Sequence, residues 1–311
     1  SKSRKARYSA IFSLFFWNTL GRLPNGLLYN QLQTGVGFRW NGKPLPFPFC
    51  WFLGLTERPF PYTIYNIEMR QRRFTMDKLT GRVRAAVQKY DMIQEGDRIA
   101  VGVSGGKDSL FLLCALAELS QYYPKHFTVT AVTADPCFGG VPGDYSQIQA
   151  LCDRLSVPYI IRKTYLGPLI FEERQEENPC SLCARMRRGI LHNLCVEEGI
   201  SKLALGHHFD DAVQTFFMNL FYGGKLGCFS PVTYLSRKEI TVIRPLILCE
   251  EREIRGAARR LELPVVKSNC PVDGVTARKD TEELVKNLEK QFPHLRTKVL
   301  GAMQRAGLDG W

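Results

Sequence analysis

The sequence predicts an α/β protein whose parallel, twisted sheet carries helices on both faces. Two observations support this prediction: apolar strand-like runs alternate with amphipathic helical segments, and a glycine-rich turn joins one strand to the helix that follows. The predicted strands cover 98–103, 127–133, 158–162 and 203–206. The predicted helices cover 77–92, 108–122, 145–155, 183–199 and 210–221.

The composition of the 311-residue chain changes near Met76. Residues 1–75 contain 11 Lys/Arg, only 2 Asp/Glu and 16 of the 35 aromatic residues. We therefore expect a basic, aromatic-rich extension at 1–75, followed by an α/β domain at 76–311 with a helical C-terminal part from about residue 246. The extension is either a small RNA-contacting appendage or a leader unrelated to the domain.

The net charge of +12 fits a polyanionic partner such as RNA, or a solvated basic surface. No run of 18 apolar residues occurs, so we expect no membrane partner. The apolar run 10–17 follows basic residues but is short and precedes no small-x-small cleavage pattern, which disfavours a signal peptide. The spacing of the ten cysteines favours a reducing compartment, and we expect a cytoplasmic protein.

The sharpest local motif follows the first predicted strand and opens a helix. It consists of Ser104, Gly105, Gly106, Lys107, Asp108 and Ser109. Two glycines allow a tight turn, and the helix N-terminus presents free N–H groups to an anion. The motif lacks the Walker spacing but resembles the pyrophosphate loop of the ATP pyrophosphatases, and the alternative is a plain strand–turn–helix corner. In that superfamily the end of the second strand approaches the nucleotide, so Asp135 either contacts the nucleotide or a metal ion or is a turn aspartate.

A cysteine pair lies at the start of a predicted helix. Cys180 and Cys183 are spaced to chelate one metal ion, and Cys270 is a third candidate ligand. Three thiolates on a [4Fe–4S] cluster leave one iron open to an exogenous ligand. A structural zinc with a distant fourth ligand and a redox pair are the alternatives.

Taken together, these motifs allow a family resemblance to be stated. From about residue 77 to 311 the chain resembles the tRNA 2-thiocytidine synthetases of the TtcA type, members of the ATP pyrophosphatase (PP-loop) superfamily with its adenine nucleotide alpha hydrolase-like fold. Besides the loop and the three cysteines, the matching segments are 180–191, 205–211, 221–225 and 243–246. The second C-x-x-C that many members have is replaced here by Cys270 followed by Pro271.

The resemblance implies a two-step sulfur transfer to tRNA. ATP adenylates the C2 carbonyl oxygen of a cytidine, and sulfide carried on the three-cysteine cluster then displaces AMP. It implies Mg²⁺ at the phosphates, sulfide or a cysteine-desulfurase-derived sulfur donor, and catalytic roles for Asp211, Lys107 and Asp108. Asp210 binds Mg²⁺ or caps the following helix, and capping alone is the alternative for both aspartates.

Other residues near these motifs are candidates for nucleotide or RNA contact. His207 and His208 either contact nucleotide or are structural, and Arg187 occupies the position of a catalytic lysine in relatives. The basic faces of the first helix (Lys78, Arg82, Arg84, Lys89) and of the cysteine helix (Arg185, Arg187, Arg188) are candidate tRNA contacts.

Several hypotheses for the function stay open. A PP-loop ATP pyrophosphatase that acts on a tRNA uridine or a small molecule is one alternative, and a non-catalytic iron–sulfur RNA-binding protein is another. A lysidine-type ligase shares the loop and residues 207–211 but would not need Cys270. The oligomeric state, including a homodimer, is undecided.

Overall fold

The structure, a computed structural model, describes residues 39–40, 43–44, 77–174, 179–266, 269–272 and 277–311. The chain divides into two compact units, Ser1–Glu68 and Met69–Trp311. In the first unit the described residues form an antiparallel pair of short strands, β1 (Arg39–Trp40) and β2 (Lys43–Pro44). The predicted boundary near Met76 and the rest of the basic extension lie outside the described residues.

The second unit is built on a six-stranded sheet. Its strands are β3 (Asp97–Gly102), β4 (Phe127–Asp135), β5 (Tyr159–Lys163), β6 (Lys202–Ala204), β7 (Val232–Leu235) and β8 (Ile240–Ile243). The strand order is β5-β4-β3-β6-β8-β7. Neighbouring strands run parallel except β7, which is antiparallel to β8. The order places β3 between β4 and β6, at the centre of the parallel part.

The helices of the second unit connect and cover these strands. They are α1 (Asp77–Lys89), α2 (Lys107–Leu119), α3 (Ser146–Leu155), α4 (Pro179–Glu197), α5 (Phe209–Phe221), α6 (Glu251–Arg260), α7 (Ala277–Gln291) and α8 (Leu295–Arg305). Short helical turns occupy 138–140, 166–173 and 308–310. No helix in the part of the chain described here is both long and apolar enough to cross a membrane.

Apolar side chains are buried on both faces of the sheet. In β3, Ile99 and Val101 belong to a large cluster with α1, α2 and α5, whereas Ala100 faces a smaller cluster that contains Leu194 of α4. This alternation follows from the two-residue period of a strand. Helices on both faces of a mostly parallel sheet confirm the predicted fold class.

The predicted elements between 77 and 221 are all present, with ends that differ by a few residues. The sequence analysis did not identify the β7–β8 hairpin. Its connection contains Glu239 in the left-handed region, at φ 52°, where hairpin turns usually have Gly or Asn. The connection therefore lacks the Gly or Asn from which a hairpin is normally predicted.

Candidate functional site

The glycine-rich loop lies at the C-terminal end of β3, the edge at which open parallel sheets bind ligands. Gly105 has φ +84°, and a β-carbon there would lie 3.1 Å from Cβ of Val266. The Val266 N–H donates a 3.0 Å hydrogen bond to the Gly105 carbonyl. A residue with a side chain would be strained at Gly105 and would crowd Val266, so the turn requires glycine.

The two serines of the loop hold its backbone from inside. Ser109 Oγ accepts from the Ser104 N–H at 3.1 Å and donates to the Gly106 carbonyl at 2.9 Å. Ser104 Oγ accepts from the Gly106 N–H at 3.3 Å. The N-cap residue of α2 is Gly106, which has no side chain to cap the helix. The positive end of this helix is thus available to an anion, as the sequence predicts for a phosphate loop.

The loop lysine is held by two carboxylates. Lys107 Nζ lies 3.0 Å from Asp108 Oδ2 and 2.9 Å from Glu251 Oε1 at the start of α6. Burial lowers the pKa of Lys107, but the hydrogen bond to Glu251 and the charge of Asp108 outweigh burial and raise it. Burial also raises the pKa of Glu251, yet hydrogen bonds from Lys107 and Arg255 bring it to about 2. The Lys107 ammonium and the Glu251 carboxylate are therefore charged at neutral pH.

Asp108 has one occupied and one unoccupied oxygen. Its Oδ1 is buried and accepts no hydrogen bond from any described residue. Nε2 of His208 lies 3.9 Å from this oxygen, beyond hydrogen-bonding distance. A buried, unpaired carboxylate oxygen is costly. Its position beside the phosphate loop fits a divalent cation that would accompany the phosphates.

The His-His-x-Asp-Asp segment follows β6, next to β3 in the sheet. A β-carbon on Gly206 would lie 3.1 Å from the Ser109 backbone nitrogen, so this segment touches the phosphate loop directly. His208 caps α5: its Nδ1 accepts from the Asp211 N–H at 3.4 Å, and its own N–H donates to Asp211 Oδ2 at 3.0 Å. Asp211 therefore serves as a capping residue, the alternative considered from the sequence.

Capping uses only Oδ2 of Asp211, so Oδ1 is available to a second partner. Its Oδ1 accepts from Arg278 Nη1 of α7 at 2.6 Å. Asp210 is buried: its Oδ2 accepts from the Glu251 N–H at 2.7 Å, and its Oδ1 accepts from Arg296 of α8. Each of the paired aspartates is thus bound to an arginine from a C-terminal helix.

His207 is the first residue of the same segment after β6. Its ring is 5.0 Å from that of Phe229, and its Nδ1 is buried without a hydrogen-bond partner among the described residues. Burial, followed by the charge of Arg244, lowers the pKa of His207 to about 4. The ring is therefore neutral at physiological pH.

Asp135 ends β4, as predicted, but its carboxylate is already engaged. Oδ1 accepts from the Cys137 N–H at 3.0 Å and from the Tyr145 hydroxyl at 3.2 Å. Oδ2 accepts from the Gly143 N–H at 2.9 Å. These bonds organise the loop after β4, so the turn-aspartate alternative accounts for every contact that the structure gives this side chain.

The three candidate cysteines are solvent-accessible to different degrees. Cys180 is exposed, whereas Cys183 and Cys270 are half-buried. Burial raises the pKa of Cys183, Arg187 opposes that rise, and the thiols of Cys270 and Cys180 add to it. Both other thiols thus affect the pKa of Cys183, which fits three cysteines that share one soft metal or cluster. Among the described residues, however, no three His, Cys, Asp or Glu side chains stand together as a ready metal site.

The basic residues predicted to contact RNA are mostly exposed. Lys78, Arg84 and Lys89 of α1 face solvent, as do Arg185 and Arg188 of α4. Arg82 differs, because it is half-buried and forms an ion pair with Glu253. The charge of Arg187, on the cysteine helix, opposes the rise in the pKa of both Cys183 and Tyr145, so Arg187 lies near both side chains.

The sequence analysis missed Glu251, Arg278 and Arg296, which hold the loop lysine and the paired aspartates. All three lie on helices beyond residue 246, for which no individual helix was predicted. A capping box at the start of α6, with Glu250 and Glu253, was the available indication of that helix. Asp210, however, lies 41 positions before Glu251 and 86 positions before Arg296, and no local sequence pattern reveals contacts over such separations.

Comparisons with known proteins agree with this geometry. Residues 77–271 match the model of the PP-loop domain family. Curated relatives named tRNA-cytidine(32) 2-sulfurtransferase include one from Pelobacter propionicus, 40% identical over 78% of this chain and 90% of its own length. Another, from Geobacter metallireducens, is 40% identical over 73% of this chain and 88% of its own.

A solved structure is similar as well. It is the U34-tRNA thiolase NcsA from Methanococcus maripaludis with its [4Fe-4S] cluster, which shares 27% sequence identity with this chain. The TM-score is 0.61, and the alignment covers 75% of this chain and 78% of the thiolase. The likeness therefore extends over most of the described α/β unit.

Proposed function

The chain belongs to the PP-loop family and, within it, to the tRNA 2-thiocytidine synthetases, and from this premise we propose that it replaces the C2 oxygen of a tRNA cytidine with sulfur at the cost of ATP. The relatives' shared name makes cytidine 32 the proposed target. The observation that carries the proposal is the direct contact between the phosphate loop and the segment that contains Asp211. It brings an anion-binding helix start and a reactive carboxylate to one place.

In the first step the chain binds and orients ATP. The free start of α2 and the Lys107 ammonium receive the phosphates. The unpaired Oδ1 of Asp108 would hold Mg²⁺, which neutralises phosphate charge when bound. The C2 carbonyl oxygen of the cytidine attacks the α-phosphorus, pyrophosphate leaves, and the base is activated as an adenylate.

In the second step sulfide attacks C2 and AMP leaves with the former carbonyl oxygen. We assign Asp211 a catalytic role at the cytidine base. His208 Nε2 lies 3.4 Å from Asp211 Oδ2 and 3.9 Å from Asp108 of the loop, and His208 and Arg278 fix the Asp211 carboxylate. Asp210, which is buried and fully bonded, supports the start of α6. His207 is neutral, and its ring packs against Phe229.

The thiols of Cys180, Cys183 and Cys270 would hold a [4Fe–4S] cluster. When bound by three protein thiolates, such a cluster offers one iron to an exogenous ligand such as sulfide. Arg187 favours the thiolate form of Cys183. The exposed arginines of α4 and the exposed basic residues of α1 would contact the tRNA backbone, which presents the base from a single-stranded loop.

A tRNA uridine is the second candidate substrate, because the similar solved structure is a U34-tRNA thiolase. Nucleoside mass spectrometry separates the two. The full chain, reconstituted anaerobically with iron and sulfide, is incubated with unmodified tRNA, ATP, Mg²⁺ and sulfide. We expect 2-thiocytidine and an equal amount of AMP. A thiouridine product would show that the substrate is a tRNA uridine and not a cytidine. ATP cleavage without any thionucleoside would contradict the tRNA proposal.

A further inference from the structure

Glu251 lies beside the phosphate loop, where an acidic residue is unexpected. A carboxylate near a phosphate site repels the ligand unless its charge is compensated. Here Glu251 Oε1 lies 2.9 Å from Lys107 Nζ and 2.7 Å from Arg255 Nη2, one turn further along α6. Two cations thus share one carboxylate, which removes the repulsion.

The position of Glu251 is fixed from its backbone as well. Its N–H, at the start of α6, donates to Asp210 Oδ2 at 2.7 Å, and Asp210 is itself bound by Arg296. The helix that carries Glu251 packs against α2 through buried Ile254 and Ala257. A chain of contacts therefore runs from Arg296 through Asp210 and Glu251 to the loop lysine.

The lysine ammonium has three N–H donors. Asp108 Oδ2 at 3.0 Å and Glu251 Oε1 at 2.9 Å account for two of them. A lysine side chain normally samples many rotamers, and the entropy lost in ordering it makes ligand binding weaker. Two fixed acceptors hold the ammonium in one place before any ligand arrives.

We propose that Glu251 is a positioning residue for nucleotide binding, which holds the Lys107 ammonium at the start of α2 with one N–H left for a phosphate oxygen. This inference rests on the proposed nucleotide site. Glu251 does not touch the phosphate itself, and its whole effect passes through Lys107. Arg255 supports it by neutralising the charge that Lys107 leaves uncompensated.

A double-mutant cycle on the full chain tests this inference by calorimetric titration with ATP and Mg²⁺. We expect Glu251→Gln to weaken ATP binding roughly tenfold and Lys107→Met roughly thirtyfold, the range of a charge-assisted contact. The double variant should equal Lys107→Met alone, because Glu251 has nothing left to position. Glu283→Gln, which removes an exposed carboxylate of α7, is the matched control and should bind as the parent does.

The outcomes distinguish this inference from the proposed function. If the parent chain does not bind ATP, both the proposed function and this inference are contradicted. If Lys107→Met weakens binding but Glu251→Gln does not, or tightens it, only the positioning role is overturned. Multiplying losses in the double variant would likewise contradict action through Lys107. Should Glu251→Gln fail to fold, Arg255→Ala at an exposed position replaces it: about threefold weaker binding is expected, and unchanged binding overturns the inference.

Discussion

The phosphate-loop region and the cysteine region both belong to the second unit, but they are held in different ways. At the loop, Ser104, Lys107 and Ser109 have partners at hydrogen-bonding distance. At the cysteines, the structure gives an exposed Cys180 and two half-buried thiols that affect one another electrostatically. The described residues there do not form a ready metal site.

This difference indicates what each region needs in order to work. The loop is organised by the protein alone, so we expect ATP to bind without any cluster. Three thiolates close together repel one another and are stable only when a metal neutralises them. Bringing the three cysteines together is therefore expected to depend on the cluster. The following predictions test that separation, from the largest expected effect to the smallest.

The largest effect is expected at the cysteines. Cys183→Ala should abolish thionucleoside formation, beyond the roughly 10–100-fold loss typical of outer-shell metal partners. The affinity for ATP should stay within about twofold, because the loop does not depend on the thiols. Iron should be lost as well. Nucleoside mass spectrometry, calorimetry and iron content measure the product, the ATP affinity and the cluster.

Cys195→Ala is the matched control for this variant. Cys195 lies on the same helix but is completely buried in the smaller apolar cluster, and burial raises its pKa to about 12. We expect it to retain iron and activity and to lose only about 1 kcal/mol of stability from the small cavity. A loss of iron in Cys195→Ala, or iron retained in Cys183→Ala, would contradict the assignment of the ligands.

The next effect concerns the carboxylate proposed to act on the base. Asp211→Asn keeps an oxygen that can accept from the His208 N–H but loses the charge that binds Arg278. We expect sulfur transfer to fall roughly a hundredfold, measured under saturating ATP, with little change in the Kd of ATP. Asp280→Asn, at an exposed position on the helix that carries Arg278, should be neutral. Equal activity of the two variants would refute the role of Asp211.

These predictions concern residues that the sequence identified to different degrees. The loop, the alternating elements and the cysteine pair are local patterns, so they were predictable from spacing and periodicity. For Asp211 the sequence left a catalytic role and helix capping as alternatives. The structure shows capping together with an ion pair to Arg278, which the sequence did not predict. Glu251, Arg278 and Arg296 were not identified, because each contacts its partner only after the chain has folded back from its C-terminal helices.

A smaller effect is expected from the arginine that holds Asp210. Arg296→Ala leaves a buried carboxylate with only the Glu251 N–H as partner, so stability should fall by about 2 kcal/mol. Denaturant unfolding measures this, and Arg305→Ala, at an exposed position on the same helix, is the control. If both variants unfold alike, the C-terminal helix does not secure the site through Asp210.

The smallest effect is a titration. Burial and the charges of Arg244, Arg278 and Arg188 lower the pKa of His207, and Asp211 opposes them, which leaves it at about 4. Because the folded pKa is depressed, this histidine stabilises the fold fully above its unfolded pKa of about 6.5, and the contribution is lost as pH falls towards 4. Its ring signals in NMR should stay flat from pH 8 to 6, and a midpoint near 6.5 would show that the ring is exposed.

The central claim is that ATP activates the base by taking its carbonyl oxygen, and isotope transfer tests it most directly. A tRNA labelled with ¹⁸O at C2 of the target cytidine is incubated with the cluster-loaded chain, ATP, Mg²⁺ and sulfide. Adenylation of that oxygen predicts one ¹⁸O in the phosphate of each AMP formed together with 2-thiocytidine. AMP that carries only solvent oxygen, while sulfur still enters the tRNA, would contradict the claim.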